Sequence, residues 1–227
     1  MCGRFALYAA RMSPEEFEAR FGFPMPMRFR DPFSYNIGPY RDIPVIVRDR
    51  DGAPQMREMF WQLIPAFAKE FKSQYSMFNT RDDSFEKRTF KQNLLRHSRC
   101  LIPANHFYEW EKAAGGKLPW LFETTDQALF TFGGIFSIWK SPEGEARFSC
   151  SIITVPANAV VAAVHPRMPF ILPRESEALW LDREITDFAR LRSMLQPYPT
   201  ETMRARRVPT LVNNIRHDGP ELIEDEP

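Results

Sequence analysis

The second residue of the chain is a cysteine. If Met1 is trimmed, Cys2 carries a free α-amine beside its thiol, with reference pKa values of about 7.7 to 8.0 and about 8.5, so both nucleophiles have a usable reactive fraction near neutral pH. Such a 1,2-aminothiol condenses with an aldehyde to an imine, and the neighbouring thiol then closes a five-membered thiazolidine. The same pair also suits amide hydrolysis, in which the thiolate attacks a carbonyl and the amine acts as base. Three other residues are candidates for proton and positioning work. Asn79 shortly precedes Asp82 and Asp83 and is expected at a helix start, where side chains and free backbone N–H groups meet ligands; otherwise it is a turn residue. Glu109 stands between Tyr108 and Trp110; strand alternation points it to solvent, and the alternative is a cleft in which it carries protons. His165 opens the run His165, Pro166, Arg167, Met168, Pro169, whose two prolines give its ring a fixed address.

The elements that would position these groups read as follows. Residues 5–8 form a short strand that anchors Cys2 to the body. Ser13, Pro14 and Glu16 make a capping box opening a helix that stops near Gly22. Residues 24–42 are a proline-rich loop containing a packed turn at Tyr35, Asn36, Ile37, Gly38 and Pro39. Asp51 and Gly52 join two strands, 43–48 and 55–61, as a hairpin. Asp82 and Asp83 cap a helix through Phe85, Phe90, Leu94 and Leu95. Strands are expected at 99–104, 106–111, 118–124, 129–139 and 147–155, helices at 156–164, 175–181 and 184–195, and a closing strand at 203–208. The fold class is therefore α+β and rich in strands, without repeats or linkers, as a single domain over 1–217 followed by an acidic tail over 218–227.

Composition narrows the function classes. At 227 residues with 44% hydrophobic residues and twenty Phe, the chain can bury a self-sufficient core. No apolar run approaches the ~20 residues of a membrane-spanning helix, and no leader pattern is visible, so an intracellular protein is expected, cytoplasmic and nucleoid-associated if bacterial. Cys100 and Cys150 sit in apolar runs and read as small core residues. Neither they nor the four histidines have ligand-like spacing, so no metal and no cofactor are expected. The net charge of +1 conceals 23 Arg against 7 Lys, with five acids gathered between Asp218 and Glu226. An arginine excess suits phosphate oxygens.

Taken together, seven blocks in order resemble the SRAP family (SOS response-associated peptidase), whose members shield abasic sites in single-stranded DNA. The blocks are Met1 to Arg4; Tyr35 to Pro39; Trp61 to Pro65; Asn79 to Arg81; Cys100 to Trp110; His165 to Pro169; and Val212 to Asn214. The resemblance implies a single domain of mixed and antiparallel strands in an open-barrel-like core with peripheral helices. It implies a site formed by Cys2, Asn79, Glu109 and His165, with Arg4 and Arg81 on phosphate and with Asn36, Pro39, Trp61, Phe67 and Arg167 on the DNA-binding surface. The implied partner is single-stranded DNA containing abasic sites, bound by a monomer and captured as a thiazolidine crosslink, with lyase-type and autopeptidase activity. The family usually has Gly at Gln62, Trp at Phe67, Ala at Thr80 and Glu at Asp83, so the stacking of bases beside the lesion is expected to differ here. Two other readings stay open: a cysteine peptidase acting on its own Met1, and a single-strand binding module in which Cys2 is incidental.

Overall fold

The computed structural model describes residues 2–8, 12–27 and 34–224. The expected removal of Met1 therefore concerns a residue outside those described. The core is a ring of five strands: β3 (Asp42–Arg48), β4 (Pro54–Trp61), β6 (Arg99–Ala104), β9 (Phe130–Lys140) and β10 (Ala146–Pro156). Their pairings run β10–β4–β3–β6–β9, and β9 returns to β10, so the barrel is closed where an open one was expected. β4 and β10 are parallel, while the other four contacts in the ring are antiparallel. Closure leaves the ring without a free edge, and side chains fill its interior.

Against this barrel lies a second, antiparallel sheet in the order β13–β8–β7–β1–β2. Its strands are β1 (Phe5–Leu7), β2 (Ser34–Ile37), β7 (His106–Ala113), β8 (Gly116–Thr124) and β13 (Met203–Arg207). Aromatic rings join the two layers. Phe5 meets Trp61 of the barrel at 5.1 Å and Phe132 at 5.7 Å, and Phe107 meets Phe132 at 6.2 Å, all edge to face. Such pairs contribute about 0.5–1.5 kcal/mol each beyond the area they bury. The N-terminal strand is thus gripped between sheet and barrel, and Cys2 is fully buried instead of frayed.

Short elements decorate the barrel ends. α1 (Pro14–Phe21) has the expected capping box, with the Ser13 hydroxyl accepting from Glu16 N and the Glu16 carboxylate accepting from Ser13 N. It ends on Gly22 at φ 78°, a left-handed position that favours glycine. β5 (Asn79–Arg81) runs parallel to β10, and β11 (Arg167–Pro169) pairs with the same stretch of β10 from the other side. α2 (Thr89–His97), α3 (Ala159–Ala162), α4 (Glu177–Leu181) and α5 (Phe188–Met194) complete the periphery, together with β12 (Ile171–Leu172) on β9.

Three local expectations change. The proline-rich stretch contains β2, because Ser34 to Ile37 pair with β1. The helix expected after Asp82 and Asp83 is only a 3₁₀ turn over Asp82–Ser84, and α2 starts later with Arg88 at its N-cap. Asn79 accordingly sits in a strand, not at a helix start. Residues 218–224 pack on the body: Leu222 is buried, the Asp218 carboxylate accepts from the Ser34 hydroxyl and Tyr35 N, and Arg206 donates to the Ile223 and Glu224 carbonyls. Among the described residues no helix is long and apolar enough to cross a membrane.

Candidate active site

Cys2 is held from two sides. Tyr108 N donates to the Arg4 carbonyl at 3.0 Å and Phe5 pairs with Phe107; continuing that antiparallel register places Glu109 opposite Gly3, beside Cys2. From the other side, β5 presents Asn79, whose Nδ2 donates to the Cys2 carbonyl at 2.7 Å. The Oδ1 of the same amide is buried and has no hydrogen-bond partner among the described residues. β5 is itself fixed to β10 by its ladder and by the buried hydroxyl pair Thr80–Ser151 at 2.9 Å. Three of the four expected site residues therefore converge on the chain start.

Glu109 is only 4% exposed, against the solvent exposure that alternation suggested. The reason is that β7 is covered on both faces from His106 to Glu109, by the barrel on one side and by the 212–222 segment and Tyr35 on the other. Burial pushes the Cys2 thiol far above its ordinary range, and the neighbouring Glu109 carboxylate pushes it further. The Cys2 Sγ lies 3.8 Å from the Arg4 carbonyl, which accepts from it.

His165 lies at the entry to β11, one strand across β10 from Asn79. Its Nδ1 is 3.1 Å from Arg167 N and 2.9 Å from the Arg167 carbonyl, so the tautomer decides which contact is a hydrogen bond and either one fixes the ring. The rigid bend expected from its two prolines is present, with the neighbouring backbone buried from Met168 to Leu172.

The residues expected on the DNA surface divide into two kinds. Arg81 is exposed and forms a two-pronged ion pair with Asp83 at 3.0 and 2.7 Å, which raises the guanidinium pKa and lowers that of the carboxylate. An exposed pair of this kind contributes little to stability. Phe67 is 74% exposed and meets Phe90 edge to face. It lines a cavity of about 760 Å³ with Tyr75, Lys69, Lys72 and Lys91. Pro39 is half-exposed beside Gly38, where a Cβ would stand 2.3 Å from Ile215 Cδ1 and 3.6 Å from Arg4 Nε.

Other residues of that set are committed to the protein. Arg4 donates to Asn36 Oδ1 at 2.6 Å and to the Val212 carbonyl at 2.9 Å, and its guanidinium lies over the Trp110 ring; burial lowers its pKa. Asn36 is buried and its amide donates to the carbonyls of Asn214 and His217, so it clamps the C-terminal segment instead of meeting solvent. Arg167 is bound by Asp82 at 2.5 Å and by the Thr154 carbonyl. Trp61 is fully buried, its indole N–H donating to the Phe78 carbonyl at 2.8 Å, and offers no face to a base. Next to it, Gln62 was recognised only as a departure from pattern. Its amide donates to the Tyr75 carbonyl at 2.7 Å and accepts from Met77 N at 2.8 Å, bracing the loop that carries Phe67. A polar residue following a tryptophan gives no such signal in sequence. Among the described residues no group of three or more His, Cys, Asp or Glu could hold a metal ion.

Comparison with known proteins places these observations in a wider set. The family model described as SOS response associated peptidase (SRAP) matches residues 1–215. The chain is 37% identical over 228 residues to abasic site processing protein YoqW of Bacillus subtilis, covering 99% of both chains. It is 33% identical over 222 residues to abasic site processing protein HMCES of Gallus gallus, covering 84% of this chain and 65% of that one. A crystal structure of a Bacteroides thetaiotaomicron protein shares the fold, with a TM-score of 0.82 at 24% identity over 99% of this chain and all of that one.

Proposed function

The chain belongs to the SOS response associated peptidase family, and on that premise we propose that it processes abasic sites in single-stranded DNA, capturing the ring-opened sugar as a covalent thiazolidine on Cys2. The relatives named abasic site processing proteins support the substrate class. The observation that carries the chemistry is the Asn79 Nδ2 to Cys2 carbonyl hydrogen bond of 2.7 Å, which fixes the backbone of the one residue that can present an amine and a thiol together. The partnerless, buried Asn79 Oδ1 is available to accept from the Cys2 amine once Met1 has been removed.

An abasic sugar rests mainly as a closed hemiacetal. His165 gives a proton to the ring oxygen as the anomeric hydroxyl loses one, and the aldehyde is released. The Cys2 amine attacks that carbon first, because the thiol is held as S–H by burial and by Glu109. Glu109 takes a proton from the resulting nitrogen and returns one to the carbinolamine oxygen, which leaves as water. The S–H then adds across the C=N bond: sulfur joins carbon, the proton joins nitrogen, and the ring closes with the net loss of one water. Arg81 exchanges Asp83 for a phosphate beside the lesion.

Burial that raises the Cys2 thiol pKa disfavours thiolate attack, the first step of a peptidase. The test is a denaturing gel with matched oligonucleotides. A heat-resistant shifted band is expected with the abasic strand and none with the intact strand; equal bands, or none, reject the proposal.

A further inference from the structure

A second cleft, of about 610 Å³, opens at the far end of the barrel from Cys2. It lies against the β3–β4 hairpin turn, and its β4 lining residues Gln55 and Arg57 stand about 20 and about 13 Å along the strand from Trp61 at 3.3 Å per residue. Its walls carry Arg48, Arg50, Arg57, Arg96, Arg99 and Arg183, against only Asp49 and Asp51. The residues come from the hairpin, the end of α2, the start of β6 and the chain after α4, so no single stretch of sequence displays the cluster.

None of these six arginines is ion-paired with a carboxylate among the described residues, whereas Arg20, Arg81, Arg167, Arg192, Arg204 and Arg206 elsewhere all are. The nearby acid Asp49 is engaged by its own turn, accepting from Asp51 N and Ala53 N. Arg99 forms the floor. It is buried and donates to the carbonyls of Leu95, Arg96, Trp180 and Asp182, which neutralises the C-terminal ends of α2 and α4. Arg48 Nε is buried there without a partner. Arg50, Arg57 and Arg183 are exposed at the rim, and the wall between them is apolar, with Ile138 41% exposed and Phe148 beneath the Arg57 guanidinium at 4.8 Å.

Backbone carbonyls hold Arg99, Arg48 and Arg183 in place, but among the described residues no carboxylate ion pair neutralises any of the six guanidinium groups around this concavity, and an anion would relieve that uncompensated charge. We propose that this cleft is a second phosphate-binding site, sized for one nucleoside phosphate unit, either free or within a DNA strand. Arginine forks match tetrahedral oxyanions in two-pronged fashion, and the Phe148 and Ile138 wall gives a base or sugar an apolar surface. The site owes nothing to Cys2.

The experiment is calorimetric titration of the full chain with pyrophosphate, with a nucleoside triphosphate and with a lesion-free single-stranded oligonucleotide. Parent protein is compared with the Arg50→Ala, Arg57→Ala, Arg183→Ala triple variant and with Arg57→Glu alone. The single variant touches no hydrogen bond, so it remains informative if loss of the Arg183 to Asp49 contact disturbs the turn. At least one ligand should bind the parent and lose about tenfold or more in affinity in both variants, while covalent capture of an abasic strand is retained. Binding of pyrophosphate and nucleotide identifies a free ligand; a variant-sensitive loss with the oligonucleotide alone identifies a strand. If the parent binds none of the three, or if both variants bind as tightly as the parent, the proposal is overturned.

Discussion

Asn79→Ala removes the single hydrogen bond that joins β5 to the Cys2 carbonyl. A buried acceptor left without its donor costs about 1–3 kcal/mol. If that energy is what holds the amine in its reactive position, the rate of adduct formation should fall by about 5- to 150-fold at 1.36 kcal/mol per decade. Asn79→Asp separates positioning from proton chemistry. It replaces the Nδ2 donor that faces the Cys2 carbonyl with a carboxylate oxygen, which can only accept, and it adds a negative charge to the pocket that holds Glu109. That charge keeps the Cys2 amine protonated to higher pH, so the rising limb of the pH–rate profile should move upward relative to parent and Asn79→Ala. The assay is single-turnover formation of the adduct with an abasic oligonucleotide in excess of protein, followed from neutral to mildly alkaline pH, with thermal unfolding as a control for the fold. A folded Asn79→Ala variant that reacts at the parental rate would refute the reasoning, as would an Asn79→Asp profile superimposable on that of the parent.

Glu109→Gln and His165→Ala should each slow adduct formation by about 10² to 10⁴ while remaining folded, and Glu109→Gln should slow release of a pre-formed adduct as well, because the thiazolidine reopens through the same proton transfers; release at the parental rate would move Glu109 to a binding role. Binding should weaken as salt rises, and Arg81→Ala should flatten that slope by about 0.7 for one lost contact on a single strand, whereas Asp83→Asn, which frees Arg81 from its ion pair, should strengthen binding at low salt. An unchanged slope places Arg81 off the DNA. Cys2, Cys100 and Cys150 all have thiols pushed above the ordinary 9.0 by burial. The folded state therefore keeps protons that the unfolded chain releases, so their contribution is intact below about pH 9 and is lost as pH rises beyond it, by about 1.4 kcal/mol per pH unit for each thiol. Urea unfolding between pH 7 and 10 should show that decline, with Cys100→Ala flattening it by one thiol's share; an identical slope in the variant would contradict the assignment.

The strands of the barrel and the capping box of α1 were legible because each depends on neighbours in sequence. Strong apolar runs, an Asp-Gly turn and a Ser-Pro-x-Glu start leave the backbone few choices. What remained hidden depended on partners far along the chain. Three residues of β5 form a strand only because β10 supplies the ladder, and β2 exists only because β1 does. Alternation alone would point Glu109 to solvent for the same reason: it presumes one wet face, and β7 has none at that point, as the resemblance had implied by placing Glu109 in the site. Trp61 and Asn36 show the limit for surface residues. A tryptophan under a base and a tryptophan in a core look alike in sequence, and only the fold distinguishes the buried Trp61 from the exposed Phe67. The site itself was accessible because Cys2 is unusual by position as well as by type, and no other cysteine of the chain can offer an adjacent amine.

The central claim is that the amine and the thiol of one residue both join the sugar, and the most direct measurement is intact mass of the product formed with an abasic oligonucleotide by the parent protein and by Cys2→Ala. For the parent, the expected mass is that of the protein without Met1 plus the oligonucleotide, less one water, and the species should survive heating without a reducing agent. Cys2→Ala should give no stable adduct; its amine still forms an imine, so borohydride should trap it, and the untreated strand should be nicked beside the lesion by β-elimination. A stable, unreduced adduct on Cys2→Ala, or a parental adduct whose mass retains Met1, would contradict the mechanism.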